Sequence, residues 1–276
     1  MPLTNGDVSL EGKAGELVDD RSTHLDPFSI IEHIALLSLD EEFEKLLQRF
    51  QLPTVSSVCD LLLCSGAVIS GSAALALLFP TAFEPQDLDI YVASYGAARV
   101  ISYLKEQGYK IDPIYSTGAG KYDNGAVVFR LFHLRSSVDI NVVIYHEKHF
   151  VDHIIRFHST IIMNYVSWYG LVCLYPQWTL RKKGLINVDN LISRSCFTKY
   201  ANRGFALSHD NRQLADSLTT HFCEIDAECP KTTRCLHDDH CAFQPFEGYE
   251  SRLLAYEGFM TWNLDATCSY AVFPVD

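Results

Sequence analysis

The stretch over residues 67–92, AVISGSAALALLFPTAFEPQDLDIYV, constrains the fold of this chain more strongly than any other segment. Its apolar start predicts a strand over 67–70, and the small apolar residues after a tight turn predict a short helix over 73–79. A loop bounded by prolines then leads to a second apolar strand, which carries Asp87 and Asp89. The two strands and the turn between them are therefore the first candidates for a functional site.

The two aspartates of the second strand predict a metal site. Successive side chains on a strand point to opposite faces, so Asp87 and Asp89 project together from one face. Two like charges on one face repel, and each raises the pKa of the other unless a cation lies between them. A divalent cation explains the pair, and ligation by oxygen atoms alone favours Mg²⁺ or Mn²⁺.

The turn before the helix predicts a site for phosphate. Gly71 allows the backbone to come close to a ligand, because it has no side chain. Ser72 is predicted to cap the helix, whose free N–H groups attract phosphate. One end of this unit therefore suits a polyphosphate, and the other end suits the metal ion that accompanies it.

The order of Gly71-Ser72, a helix and then Asp87-Leu88-Asp89-Ile90 resembles the signature of the nucleotidyltransferase fold, the DNA polymerase beta superfamily. The sequence pattern is most similar to that of the small, minimal branch of this superfamily, which includes aminoglycoside-modifying enzymes and toxin–antitoxin nucleotidyltransferases. The family pattern adds a third carboxylate on a later strand, for which Asp139 is the candidate. The resemblance covers residues 55–146, and its spacing from Gly-Ser to Asp is longer than in the polymerase members.

The resemblance implies an α+β fold, with a small mixed β-sheet, helices packed on one side and a C-terminal helical or irregular extension. Apolar periodicity agrees, because helical and alternating patterns follow one another in a matching order. The predicted helices are one broken helix or two over 26–51, then 54–63, 96–107 and 148–158, and last a helix that Asn187 or Asp189 caps and that runs through Asn202. The predicted strands are 109–115, 126–134 and 138–145, with a hairpin over 161–176. The predicted units are a flexible tail (1–25), a nucleotidyltransferase-like domain with N-terminal helices (26–160) and an extension of hairpin, helix and Cys-rich segment (161–276).

Asp139 lies inside an apolar strand, where a charged side chain is costly without a partner. If its strand neighbours the strand of Asp87 and Asp89, all three carboxylates face one cleft. Asp139 would then hold one metal ion and help to deprotonate the acceptor hydroxyl. The alternative is a salt bridge from Asp139 to Arg130 or Arg135.

Basic side chains are densest between residues 181 and 203. In many nucleotidyltransferases a helix after the catalytic domain contacts the triphosphate and base, so the resemblance implies that Lys199 and Arg203 bind nucleotide. Basic residues near a helix C-terminus are also favourable by themselves. The glycine-rich segment over 116–125 lacks the P-loop pattern and leads into a strand, so we interpret it as a hairpin loop.

Histidines and cysteines form two further groupings. His149 and His153 share a face of a predicted helix, which we interpret as a solvated face. The density of ligand side chains over 221–241 suggests zinc, but the cysteines lack the tight pairs of zinc knuckles, and we expect no structural zinc there. The candidate ligands in that segment are Cys223, Cys229, Cys235, His237, His240 and Cys241.

Bulk properties narrow the class of partner. The formal net charge of −12 argues against a protein that binds long duplex DNA through its phosphates. No apolar run reaches the length of a membrane span, so we expect no membrane partner. The start of the chain lacks the features of a signal peptide, and nine cysteines, an odd number, favour a reducing compartment. We therefore expect an intracellular protein, cytoplasmic or nuclear.

The leading hypothesis is a nucleotidyltransferase with a two-metal mechanism, in which Asp87 and Asp89 hold two Mg²⁺ ions and Asp139 holds one of them. It would transfer NMP from a nucleoside triphosphate such as ATP to an acceptor hydroxyl on a small molecule, an RNA end or a protein. The alternative is a catalytically inactive nucleotide- or protein-binding module of the same fold. A third hypothesis, a zinc-stabilised interaction protein, depends on the Cys-rich segment alone.

Overall fold

The structure is a computed structural model that describes residues 38–114, 126–135, 137–146, 149–214, 221–223, 225–249, 260–264, 266 and 268. The predicted tail, the start of the first predicted helix and the glycine-rich loop lie outside the described residues.

Helices and strands alternate through most of the described chain. The helices are α1 (Leu39–Arg49), α2 (Val55–Ser65), α3 (Ser72–Leu78), α4 (Ser94–Glu106), α5 (Val151–Ile154), α6 (Pro176–Thr179) and α7 (Leu191–Asn202). The strands are β1 (Val68–Ser70), β2 (Asp87–Ala93), β3 (Tyr109–Ile111), β4 (Val127–His133), β5 (Asp139–Tyr145), β6 (Asn164–Ser167), β7 (Gly170–Cys173), β8 (Lys183–Leu185), β9 (Ala206–Ser208), β10 (Arg234–Cys235), β11 (Ala242–Pro245) and β12 (Thr261–Trp262).

The main sheet is mixed and has the strand order β11-β7-β6-β1-β2-β5-β4-β3. Strands β2 and β5 run parallel, whereas β1 pairs antiparallel with both β2 and β6, and β4 pairs antiparallel with β5. Parallel neighbours need a crossover connection, which α4 and the β3–β4 hairpin supply here. The predicted α+β class with a mixed sheet is therefore confirmed.

The two faces of the sheet have different coverings. Helices α1 to α4 pack on one face against apolar side chains of the central strands, among them Leu88 and Ile140, which are fully buried. On the opposite face, Tyr91 and Val143 are buried under α5, α6 and their flanking segments. Because side chains alternate, Asp87 and Asp89 belong to this second face, away from the helical layer.

The predicted cap at Ser72 is wrong, and the reason is the backbone of the preceding residue. Gly71 takes the N-cap position with φ 71° and ψ −142°, a conformation that side chains on Cβ disfavour. Ser72 is the first residue of α3, and its hydroxyl turns to Asp87 instead of capping the helix.

The start of α7 also differs from the prediction, which named Asn187 or Asp189 as the cap. Asn190 accepts a hydrogen bond at Oδ1 from the backbone N–H of Ser193 at 2.8 Å, as a capping side chain does. The amide of Asn187 instead donates to the carbonyl groups of Ile155 and Phe157, and this residue is buried.

The predicted solvated helix over 148–158 is also wrong, because the helix is limited to the single turn of α5. His153 is buried and packs against the ring of Tyr145. His149 precedes the helix and accepts a hydrogen bond from the backbone N–H of Val151. Within the described residues, no helix is both long enough and apolar enough to cross a bilayer.

Candidate functional site

The register between β2 and β5 brings the predicted carboxylates together. Asp87 lies opposite Asp139, and Asp89 lies opposite Asn141. Residues paired across neighbouring strands point to the same face, with the strands about 5 Å apart. All four side chains are partly exposed, so they form a polar surface on an otherwise buried stretch of sheet.

Two neighbours orient the carboxylates of β2. The side-chain amide of Asn141 donates to Asp89 Oδ1 at 2.8 Å. The hydroxyl of Ser72 donates to Asp87 Oδ1 at 3.3 Å. The contact of Asn141 with Asp89 depends on the register between the two strands, which the sequence does not specify.

Gly71 lies very close to the carboxylate of Asp89. A Cβ atom added at this position would lie 2.9 Å from Asp89 Oδ2, closer than real Cβ contacts come. Its φ of 71° independently favours glycine. The turn therefore brings backbone and carboxylate together in a way that only glycine permits.

The third carboxylate has an arginine partner. The Arg130 guanidinium donates to Asp139 Oδ2 from Nη2 at 2.5 Å and from Nε at 3.1 Å. Asp139 thus reaches the predicted face, but it also makes the salt bridge that the sequence left open as the alternative. The side chains of Arg130 and Asp139 are 37% and 28% exposed, and ion pairs this close to water are weak enough to exchange partners.

Of the two basic residues predicted to bind nucleotide, Arg203 has the surroundings that better suit an anion. Its guanidinium stacks over the ring of Phe83 at 4.0 Å, and its Nη1 is buried without a hydrogen-bond partner among the described residues. Burial lowers the pKa of Arg203 from its ordinary value, while Tyr200 and Asp87 act in the opposite direction. A buried donor without a partner is costly, and an anionic ligand would satisfy it.

The end of α7 also carries Tyr200 and Lys199. Burial raises the pKa of Tyr200 above its usual range, and the charges of Asp89 and Asp87 add to that rise. Lys199 lies over the Tyr200 ring at 5.6 Å, and its charge acts on His158. The described contacts of Lys199 therefore involve Tyr200 and His158 rather than the carboxylates.

The donor set of this face fits a hard divalent cation. Asp87 and Asp89 supply carboxylate oxygens from alternate positions of one strand, and both are accessible to solvent. Both hydrogen bonds from Arg130 go to Asp139 Oδ2, so Asp139 would join them through Oδ1, or through Oδ2 if Arg130 moved away. The residues present thus fit a metal held by two carboxylates, with a third in reach.

No model of a protein family matches the chain, and no curated protein matches it. Several solved structures resemble parts of it, among them the following three. A tRNA-processing enzyme in an apo form has a TM-score of 0.42 and 15% identity, over 58% of this chain and 44% of that one. The Thermotoga maritima CCA-adding enzyme complexed with tRNA has a TM-score of 0.35 and 18% identity, over 54% of this chain and 36% of that one.

A tRNA-processing enzyme with CTP has a TM-score of 0.37 and 16% identity, over 54% of this chain and 41% of that one. The chain therefore spans less than half the length of each of these structures. At these TM-scores, all below 0.5, the likeness assigns neither a family nor an activity to this chain.

Proposed function

We propose that this chain is a nucleotidyltransferase-like protein that binds a nucleoside triphosphate with Mg²⁺ or Mn²⁺ and transfers NMP to an acceptor hydroxyl. The observation that carries the proposal is the carboxylate pair of Asp87 and Asp89, which lies in contact with the Gly71 turn. Arg203 Nη1 supports it, because this atom is buried without a hydrogen-bond partner among the described residues and a triphosphate would satisfy it.

In this proposal each residue has a distinct task. Asp87 and Asp89 would hold the divalent cation, which would supply positive charge to neutralise the triphosphate. Gly71 and Ser72 line the β- and γ-phosphates. Arg203 donates to a phosphate oxygen, as does Lys199 once its side chain extends. Transfer of this kind depends mainly on positioning and charge neutralisation, so few reactive side chains are needed.

Asp139 has a task that depends on Arg130. As a general base it accepts the proton of the attacking hydroxyl, a step that is easier once the Arg130 guanidinium releases the Oδ2 atom. The phosphate charge of a bound nucleotide offers that guanidinium another partner on the same face. The acceptor belongs to one of three classes, a small molecule, an RNA end or a protein.

The Arg130–Asp139 ion pair also favours a second candidate function, a module that binds nucleotide without turnover. If the pair persists with nucleotide bound, the Arg130 guanidinium competes with a metal ion and with the acceptor proton for the Asp139 carboxylate. The two candidates share the nucleotide site but differ in the fate of Asp139.

Pyrophosphate release from each of the four nucleoside triphosphates, with Mg²⁺ or Mn²⁺ and each acceptor class, tests the proposal. We expect Asp87→Asn or Asp89→Asn to lower release by at least about 100-fold, because each removes a metal ligand. Asp60→Asn, on the exposed side of α2, is the matched control and should leave release unchanged. Release that is equal in wild-type protein and in both site variants would refute the proposal.

Calorimetry with Mg²⁺ and nucleotide separates the two candidates. For an enzyme, Asp139→Asn should abolish pyrophosphate release while nucleotide affinity stays within a few fold of wild type. For a binding module, the wild-type protein should bind nucleotide and release no pyrophosphate with any acceptor.

A further inference from the structure

Four metal-binding side chains meet in the C-terminal region, on residues separate from the candidate nucleotide site. They are His221, Cys223, Cys229 and Cys268, and their ligand atoms all lie within 4.8 Å of one another. Three of the spacings are short: 3.5 Å between the sulfurs of Cys223 and Cys268, 3.3 Å from His221 Nε2 to Cys223 Sγ, and 3.2 Å from His221 Nε2 to Cys268 Sγ.

We propose that these four residues form a structural zinc site with one histidine and three cysteine ligands. Bonds of about 2.3 Å to sulfur and about 2.0–2.1 Å to nitrogen place the ligands of a tetrahedral zinc ion about 3.5–3.8 Å apart. The three short spacings lie within a few tenths of an ångström of those values. A disulfide would need a sulfur–sulfur distance of about 2.05 Å, far shorter than the one between Cys223 and Cys268.

An acidic residue behind the histidine orients it as a zinc ligand. His221 Nδ1 lies 3.1 Å from Asp226 Oδ2, and the same oxygen accepts a hydrogen bond from the backbone N–H of Phe222 at 2.7 Å. A carboxylate at Nδ1 places the proton there, so that the lone pair on Nε2 can bind a metal. Nε2 is the atom that faces the sulfurs of the cluster.

The ligand count and burial indicate a structural rather than a catalytic site. Cys229 and Cys268 are 3% and 2% exposed. Cys229 is held in a turn, since its backbone N–H donates to Asp226 and its carbonyl accepts from Thr232. Four protein ligands complete the tetrahedron, whereas a catalytic zinc ion keeps a position for water or substrate.

The ligand set differs from the one that the sequence suggested. Two of the candidate ligands, Cys223 and Cys229, are in the cluster, but the sulfur of Cys241 lies 3.5 Å from the guanidinium of Arg234. His221 and Cys268 fall outside that candidate set, and Cys268 is remote in sequence from the other three ligands. The proposed ion would therefore join the segment around 221–229 to the chain near 268.

The full-length protein, purified after expression with added zinc and gel filtration, tests the proposal through its metal content. We expect about one zinc ion per chain by inductively coupled plasma mass spectrometry. Cys268→Ser and Cys229→Ser should each lower the content to below about a fifth of that value. Cys235→Ser, in the same segment but outside the cluster, is the matched control and should keep the full content.

Cobalt substitution covers the case in which a cysteine variant fails to fold. Wild-type protein loaded with Co²⁺ should show the d–d absorption of a tetrahedral ion and a thiolate-to-cobalt charge-transfer band. Less than about 0.2 zinc per folded wild-type chain would overturn the proposal. So would equal zinc loss in Cys235→Ser and Cys268→Ser, or a Cys223–Cys268 disulfide detected by mass spectrometry. None of these readouts depends on nucleotide binding or transfer.

Discussion

Gly71 shows how one residue can serve both the fold and the proposed site. We expect Gly71→Ala to destabilise the protein by at least about 1 kcal/mol more than Gly204→Ala, as measured by urea denaturation. Both positions have positive φ, but a Cβ at Gly204 would meet nothing within 4 Å, whereas at Gly71 it would lie 2.9 Å from Asp89 Oδ2. Equal destabilisation by the two substitutions would show that the close approach to Asp89 costs nothing.

Arg203 offers a direct test of anion binding. We expect Arg203→Met to weaken the affinity for metal-bound nucleotide by roughly 10- to 100-fold, the loss typical of a hydrogen bond to a charged group. Arg194→Met is the matched control, because Arg194 lies on α7, which ends just before Arg203, is 67% exposed and pairs with Asp189. The interpretation fails if the two variants bind nucleotide equally well in calorimetry.

His158 predicts a pH dependence of stability. Its burial, with the charge of Lys199, lowers the pKa from the ordinary 6.5 to about 4. The unfolded chain therefore takes up a proton at a higher pH than the folded chain, and stability falls as the pH drops from about 6.5 to about 4. The loss attributable to His158 should reach roughly 3 kcal/mol.

The measurement is urea denaturation at a series of pH values between 7 and 4 for wild-type protein and His158→Phe. The variant has no titrating group at this position, and Phe suits contacts with the rings of Phe197 and Tyr200. Its stability should fall less steeply across this range. Identical slopes for the two proteins would contradict the assignment.

At the level of single residues, the sequence predicts the features that depend only on neighbouring positions in the chain. The alternation of side chains on a strand is enough to place Asp87 and Asp89 on one face. The contact between Arg130 and Asp139 depends on the register of β4 against β5, which the sequence does not specify. Cys268 is remote in sequence from the other three proposed zinc ligands, so a pattern of closely spaced cysteines does not include it.

At the level of elements, the unit of β1, α3 and β2 was predictable, because its strands, turn and helix follow from consecutive residues. The paired strands β4 and β5 and the β6–β7 hairpin were predictable from alternation and turn residues. The length of helix α5, which has a single turn, was overestimated from the sequence. The polar residues around it are typical of a longer, exposed helix, and the sequence does not show that His153 is buried.

The small C-terminal sheet of β10 and β12 is fixed to the main sheet by a buried arginine. Arg234 is 3% exposed, forms an ion pair with Asp238 at 2.5 Å and donates to the carbonyl of Leu174 at 3.2 Å. Its guanidinium also lies over the Tyr175 ring at 5.1 Å. These contacts link β10 to the segment that follows β7.

We expect Arg234→Met to destabilise the protein by about 3 kcal/mol, because it leaves the Asp238 carboxylate without its charge partner. Arg212→Met, which breaks an ion pair with Asp210 whose side chains are 41% and 24% exposed, should cost less than about 1 kcal/mol. Urea denaturation of both variants gives the comparison. A loss for Arg234→Met no larger than that of its control would show that this contact does not secure the C-terminal sheet.

On the scale of the whole molecule, the core under helices α1 to α4 and the proposed site lie on opposite faces of the main sheet. Helices α1 to α4 cover one face and bury most of the apolar side chains, so the polar face of β2 and β5 can carry charges without disturbing that core. Strand β11 extends the same sheet through its pairing with β7, and Phe246 just beyond it stacks on Phe43 of α1. The C-terminal extension thus contributes to the main core as well as to the proposed zinc site.

Titration with Mn²⁺ in the presence of ATP, followed by the electron paramagnetic resonance signal of free Mn²⁺, tests the central claim most directly. The account predicts that wild-type protein and Asp60→Asn bind the ion with nucleotide. It predicts that the double variant Asp87→Asn, Asp89→Asn binds it at least about tenfold more weakly, because its carboxylate ligands are gone. Equal binding of Mn²⁺ and ATP by the wild-type protein and the double variant would contradict the account.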